Sequence, residues 1–151
     1  MQRYSRMAAA ALLAVLLTVV GCSPASAKTT YAAVTIGSLT YRVELAQTAD
    51  QQRAGLGNRQ TLPAGTGMLF QFGSLSEQQV WMAGMRFPLD IAWIADGRVV
   101  ARDTLATCAE AGESACPRWT SPSPVDALLE VPAHSLGSVA PGTVVTVEEL
   151  P

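Results

Sequence analysis

Two carboxylates stand inside apolar runs: Asp90 in PLDIAWI (residues 88–94) and Glu130 in LLEV (128–131). A pair of such acids ~5 to 9 Å apart can do acid–base hydrolysis, but distance along the chain does not fix that separation. Strand alternation turns Leu89, Ile91 and Trp93 to one side and Asp90, Ala92 and Ile94 to the other. Either side is largely apolar. Asp90 is therefore expected half-buried and in need of hydrogen bonds or an arginine partner, with Arg59 and Arg86 as candidates. Each carboxylate has two readings, a structural group that receives backbone N–H bonds or a polar point in a pocket floored by Trp81 and Met82. His134, the only histidine, invites a triad with Ser135 or Ser121 and Asp90, although beside Pro132 it fits a surface turn better. Trp93 reads as core. Trp119, in the Pro-rich stretch after Cys116-Pro117-Arg118, reads as an exposed loop contact.

The scarce residue types exclude whole chemistries. Besides the single histidine there is a single lysine, Lys28, so a multi-histidine metal site, an HExxH zinc site and a P-loop all lack residues. No dinucleotide fingerprint or GxSxG elbow occurs. No metal and no cofactor is expected. Ten Lys+Arg against twelve Asp+Glu give a net charge of -2, which supplies no basic field for nucleic acid.

Three cysteines carry covalent chemistry. Arg3 and Arg6 precede an apolar run at 8–20, too short for a span of ~20 residues and suited to a secretory h-region. The run ends in Val19-Val20-Gly21-Cys22, which is similar to the lipobox of bacterial lipoproteins, with Cys22 as the thioether nucleophile for a diacylglyceryl group. The other reading is an ordinary signal cleaved after Ala25-Ser26-Ala27. Lipidation implies a signal peptide at 1–21, a polar tether at 22–29, and one domain over 30–151 held on the bacterial cell membrane and facing outside the cytoplasm. Cys108 and Cys116, eight apart in a polar loop, are then expected to form a disulfide worth roughly 2.5 kcal/mol on the loop-entropy model. A thiolate metal pair is the rival reading, without further ligands nearby.

The elements that position these groups are mostly strands. Residues 31–36 and 39–45 alternate around Gly37-Ser38 as a hairpin, and Thr48 to Gln51 makes a capping box for a short helix over 49–56, stopped at Gly57-Asn58. Strands are expected at 67–72, 79–82 and 88–95. Asp96-Gly97 is a type I′ signal that joins the last of these to 99–104. Residues 105–124 read as a long irregular loop, and strands at 127–131 and 144–148 finish the chain. The fold class is mainly β (α+β): a small, partly closed antiparallel barrel-like domain with one short helix.

The order GLGNR, LPAGTGMLFQF, VWMAGMRFPLDIAWIADGRVV, a cysteine-bracketed loop and ALLEVPA resembles the domain-of-unknown-function family 192, over residues 42–147. Its most specific piece is Trp81-Met82 followed by Pro88 to Ile91 and Asp96 to Val100. The resemblance implies a compact β-rich, barrel-like domain, frequently exported, with no established activity. The chain departs from the family pattern where Ala83, Gly84 and Met85 replace a common Lys, Asn and Thr. Gly57 also replaces a methionine, and His134 a glycine. Any chemistry of that polar triplet is absent here.

The leading expectation is a non-catalytic, lipid-anchored envelope domain whose groove is lined by Arg59, Trp81, Met82, Asp90, Trp119 and Glu130, with a small molecule or an envelope protein as partner. The alternatives are an envelope hydrolase working through Asp90 and Glu130, and a structural accessory of an envelope complex. The last predicts an exposed apolar patch and no concave pocket.

Overall fold

The computed structural model describes residues 28–108 and 113–151. The expected signal peptide and Cys22 lie outside the described residues.

The alternating stretches become β1 (Tyr31–Ile36) and β2 (Leu39–Ala46), paired around a Gly37 turn whose φ is 61°. Thr48 caps α1 (Ala49–Ala54) through the expected box with Gln51. The helix stops earlier than Gly57-Asn58. Gly55, at φ 48°, ends it and returns its N–H to the Gln51 carbonyl at 2.9 Å. The next strands are β3 (Thr66–Ser76), β4 (Gln79–Trp81), β5 (Leu89–Ala95) and β6 (Arg98–Leu105). Asp96 and Gly97 both adopt positive φ, as a type I′ turn requires. The stretch read as an irregular loop is more ordered than expected. It holds a 3-10 turn at Glu113–Ala115 and β7 (Arg118–Thr120), which pairs with β4 as a separate two-stranded sheet. Finally come β8 (Val125–Pro132) and β9 (Val145–Glu149).

Seven strands form one curled sheet in the order β6-β5-β8-β3-β2-β1-β9. Its edges approach each other. Gly142 N–H donates to Val99 O at 2.7 Å, Val99 N–H to Thr143 O at 3.0 Å, and Val145 N–H to Gly97 O at 2.9 Å. These bonds satisfy part of two exposed edges and leave a partly closed half-barrel. One junction departs from the antiparallel expectation: β2 and β3 run parallel, with α1 and the loop after it as the crossover between them.

Two cores lie on the two faces of this sheet. Val34, Tyr41, Val43, Leu69, Ala92, Ile94, Leu129 and Val131 fill one face together with Leu136 and Val139 from the β8–β9 connection. The other face buries Met68, Phe70, Leu89, Ile91, Trp93 and Leu128 under Leu56, Val80 and Met82. Strand β5, between β6 and β8, is buried on both sides, so its side chains divide between the cores as its alternation predicts.

Candidate functional site

The β5–β8 register sets the two carboxylates apart. Asp90 pairs with Val131, a member of the first core, whereas Glu130 pairs with Ile91 and Met68 of the second. Cross-strand partners share a face, so Asp90 and Glu130 lie on opposite sides of one sheet. They cannot meet at one substrate. The hydrolase that needs both is thereby corrected.

Asp90 is fully buried rather than half-buried, and no arginine among the described residues bonds to it. Its Oδ1 accepts the Thr104 hydroxyl at 2.7 Å and its Oδ2 the Leu136 N–H at 2.8 Å. Burial pushes its carboxyl up, but these two bonds and the backbone of His134 outweigh that and hold it below the ordinary carboxylate value. The group ties β5 to β6 and to the β8–β9 connection, which is the structural reading. His134 supplies no triad: it is exposed in a turn at φ 67°. Ser121 Oγ instead accepts the Gln78 N–H at 3.1 Å. The arginines offered to Asp90 are engaged elsewhere. Arg59 grips Glu44 at 2.6 and 2.8 Å, and Arg86 donates to Gln60 at 3.1 Å. The Arg59 guanidinium holds the Glu44 carboxyl below its usual value.

Glu130 has the opposite environment. It is 5% exposed and has no hydrogen-bond partner among the described residues; burial alone pushes its carboxyl up to about 8. What surface remains to it opens on a cleft of about 230 Å³ between α1 and β4. Phe70, Phe72, Trp81, Met82 and Leu128 form much of the wall, with Gln52, Gln78 and Gln79 among the polar lining residues. Among the described residues, Glu130 and Arg53 are the only ionisable side chains in its lining, which holds no Ser, Thr, Cys, His or Lys. No nucleophile or proton-relay partner therefore faces Glu130. The cleft suits binding.

Of the six groove residues expected from sequence, Trp81, Met82 and Glu130 line this cleft, and Arg59, Asp90 and Trp119 do not. Trp119 packs against the second core and pairs with Val80 in the small sheet, so it is a support rather than an exposed contact. Its neighbour Arg118 lays its guanidinium 4.4 Å from the centre of the Trp81 ring. Cys108 and Cys116 have Cα atoms 5.7 Å apart with their sulfurs at bonding distance, just before β7. Sequence reasoning missed Phe70, Phe72 and the three glutamines. Phe70 and Phe72 carried a signal, since in β3 they alternate onto the side that Met68 shares with Glu130.

Two solved structures resemble this one, each with a TM-score of 0.69 and 27% identity. The first, from Sinorhizobium meliloti 1021, is provisionally described as a transcription regulator; the match covers 83% of this chain and 98% of that one. The second is a protein of unknown function from Novosphingobium aromaticivorans DSM 12444, with 82% of this chain and 89% of that one covered. None of the curated proteins matches the chain. The family model DUF192, described as an uncharacterized ACR, matches residues 32–147, and the chain belongs to that family.

Proposed function

We propose that this chain is an exported, lipid-anchored envelope domain that binds a small ligand without transforming it. The observation that carries the binding role is the cleft: a concave, mostly apolar wall converging on one buried acid with no protein partner. Its volume of about 230 Å³ falls below the ~300–1,000 Å³ of drug-sized sites, which limits the occupant to a small molecule. The structural-accessory reading predicts no concave pocket, and the cleft counts against it. The lipid anchor rests on the Val19-Val20-Gly21-Cys22 sequence after the apolar run, and the paired Cys108 and Cys116 suit an oxidising compartment.

Titration of the ¹⁵N-labelled full chain with benzyl alcohol tests the cleft. The expected shifts concentrate on the amides of Trp81, Met82 and Glu130. Shifts absent, or gathered around Asp90 and Leu136 instead, overturn the site. Intact-mass measurement on protein recovered from membranes tests the anchor. A diacylglyceryl adduct at Cys22, lost together with membrane retention in Cys22→Ala, is expected; an unmodified cysteine overturns it.

A further inference from the structure

The polar groups of the cleft gather around a single acid. Gln52 commits its side-chain NH₂ to the Ala46 and Gln71 carbonyls at 3.3 and 2.8 Å. Gln78 commits its own to Ser76 Oγ at 2.8 Å, and Gln79 to Thr120 Oγ1 at 3.2 Å. All three leave the carbonyl oxygen uncommitted. Glu130 adds two more oxygens without protein donors. Gln78 and Gln79 each keep a second N–H, so the neutral groups offer both donors and acceptors, and the sign of the site is set by Glu130, the one acid of its lining among the described residues. The one cation in its lining, Arg53, is drawn to Asp50 at 3.3 Å. Phe70, Phe72 and Trp81 contribute aromatic rings to the wall, a residue type that attracts cations. Arg118 already lays a guanidinium on Trp81.

We infer that the cleft takes a small organic ammonium with an apolar body, its N–H groups directed at Glu130 and its carbon frame against Phe70, Trp81 and Met82. The inference rests on the cleft being a ligand site and adds the chemical class. A neutral ligand would leave Glu130 one weak hydrogen bond. A carboxylate could take the O–H of protonated Glu130 but would gain no charge pair with it. An ammonium gains a charge pair beside a side chain that is largely shielded from water, where opposite charges attract more strongly than in bulk.

Proton linkage follows from the surroundings of Glu130. Met68 and Ile91 flank it on β3 and β5. Beyond them in the same cross-strand row lie Glu44 on β2, neutralised by Arg59, and the exposed Asp103 on β6. From α1 comes Arg53, paired with Asp50, and from β4 only the uncharged Gln79 and Trp81, the latter under Arg118 of β7. No charged neighbour contributes to holding its proton, and burial alone does so. Without a cation beside it, Glu130 is thus mostly protonated at neutral pH. An entering ammonium ionises Glu130, and the displaced proton passes to solvent. Below about pH 8, where this carboxyl titrates, affinity for the cation therefore rises about tenfold per pH unit.

Calorimetric titration of the full chain with benzylamine, benzyl alcohol and benzoate, at pH 6 and 7 and in two buffers of different ionisation enthalpy, tests this. Benzylamine is expected to bind most tightly, to gain about tenfold in affinity between pH 6 and 7, and to release close to one proton per molecule bound. Glu130→Gln is expected to abolish the pH gain and the proton release. The proton count on the unmodified chain needs no variant. Benzyl alcohol binding as tightly as benzylamine at both pH values, or benzoate binding best, overturns the ammonium class and leaves the cleft as a ligand site. Binding of none of the three to a chain with an intact β spectrum overturns both readings.

Discussion

Asp90 and Glu130 are carboxylates on adjacent interior strands of the same sheet, yet the two faces treat them oppositely. On one face Asp90 meets a hydroxyl and backbone N–H groups, so its charge is stabilised despite full burial. On the other, Glu130 sits among Met68, Phe70, Ile91 and Leu128 with no donor, and its proton is retained. A satisfied buried charge holds elements together. An unsatisfied one weakens the fold and persists where something else completes it. The difference separates a structural carboxylate from a ligand-facing one without reference to a motif.

The comparison breaks most visibly with pH. Glu130 titrates near 8 when folded and near 4.5 when unfolded, so the native state holds the extra proton between those values. Stability therefore falls as pH rises through this window, by roughly 4–5 kcal/mol in all, and levels off above it. Urea denaturation of the full chain at pH 5 and pH 8 should show the fall, and Glu130→Gln should remove most of it. A wild-type chain equally stable at both pH values would show that Glu130 finds a donor in solution. The lowered carboxyl of Asp90 acts with opposite sign: its stabilisation is present above its unfolded value and is lost as pH drops through the folded one.

Removing Asp90 itself comes next. Asp90→Ala leaves the Leu136 N–H buried without its acceptor, at ~1–3 kcal/mol, and removes the bond from the more exposed Thr104 hydroxyl, at ~0.5–1.5 kcal/mol more. A loss of about 3 kcal/mol in urea is expected, with benzyl alcohol binding in the cleft retained because the opposite face is unchanged. A loss below about 1 kcal/mol would deny Asp90 its structural role.

How far these two roles were legible in sequence depends on which pairing they use. Alternation within β5 assigns Asp90 and Trp93 to opposite sides, and the structure agrees, since neighbours along one strand need no partner to fix their faces. Thr48 with Gln51, and Asp96-Gly97, were equally readable because caps and tight turns are local. Glu130 was different. Its face matters only relative to β5 and β3, and that register joins residues far apart in the chain. The parallel β2–β3 pairing was illegible for the same reason, as was Glu44, in an alternating strand, serving as the partner of Arg59. The cleft required α1 and the β4–β7 pair to be laid over the second core, and no local pattern announces that.

A smaller effect sharpens what supports the ligand-facing side. The Cys108–Cys116 bridge closes a short loop directly before β7, and β7 holds β4, which forms one wall of the cleft. Double replacement by serine should cost about 2.5 kcal/mol through unfolded-state entropy. It should also weaken benzyl alcohol binding, while the amides around Asp90 keep their protection from hydrogen exchange. Loss of protection on the Asp90 face to the same extent would show that the two faces are not energetically separable.

The smallest expected effect belongs to Arg59, and it separates a visible ion pair from an influential one. Its two bonds to Glu44 are short, but both side chains keep substantial contact with water, at 35% and 24% exposure. Pairs of this kind contribute ~0.2–1 kcal/mol. Arg59→Gln should therefore cost about 0.5 kcal/mol, a loss that moderate salt reduces in the wild type as well. The informative readout is the carboxyl of Glu130, followed by ¹³C chemical shift. In the variant, Glu44 is a free carboxylate on the same face, with Met68 between the two acids. If burial alone sets the Glu130 proton, its titration stays near 8 within a few tenths of a unit. An upward displacement of a full unit would mean that Arg59, by neutralising Glu44, already tunes the cleft from outside it, and the boundary between support and site would have to include both residues.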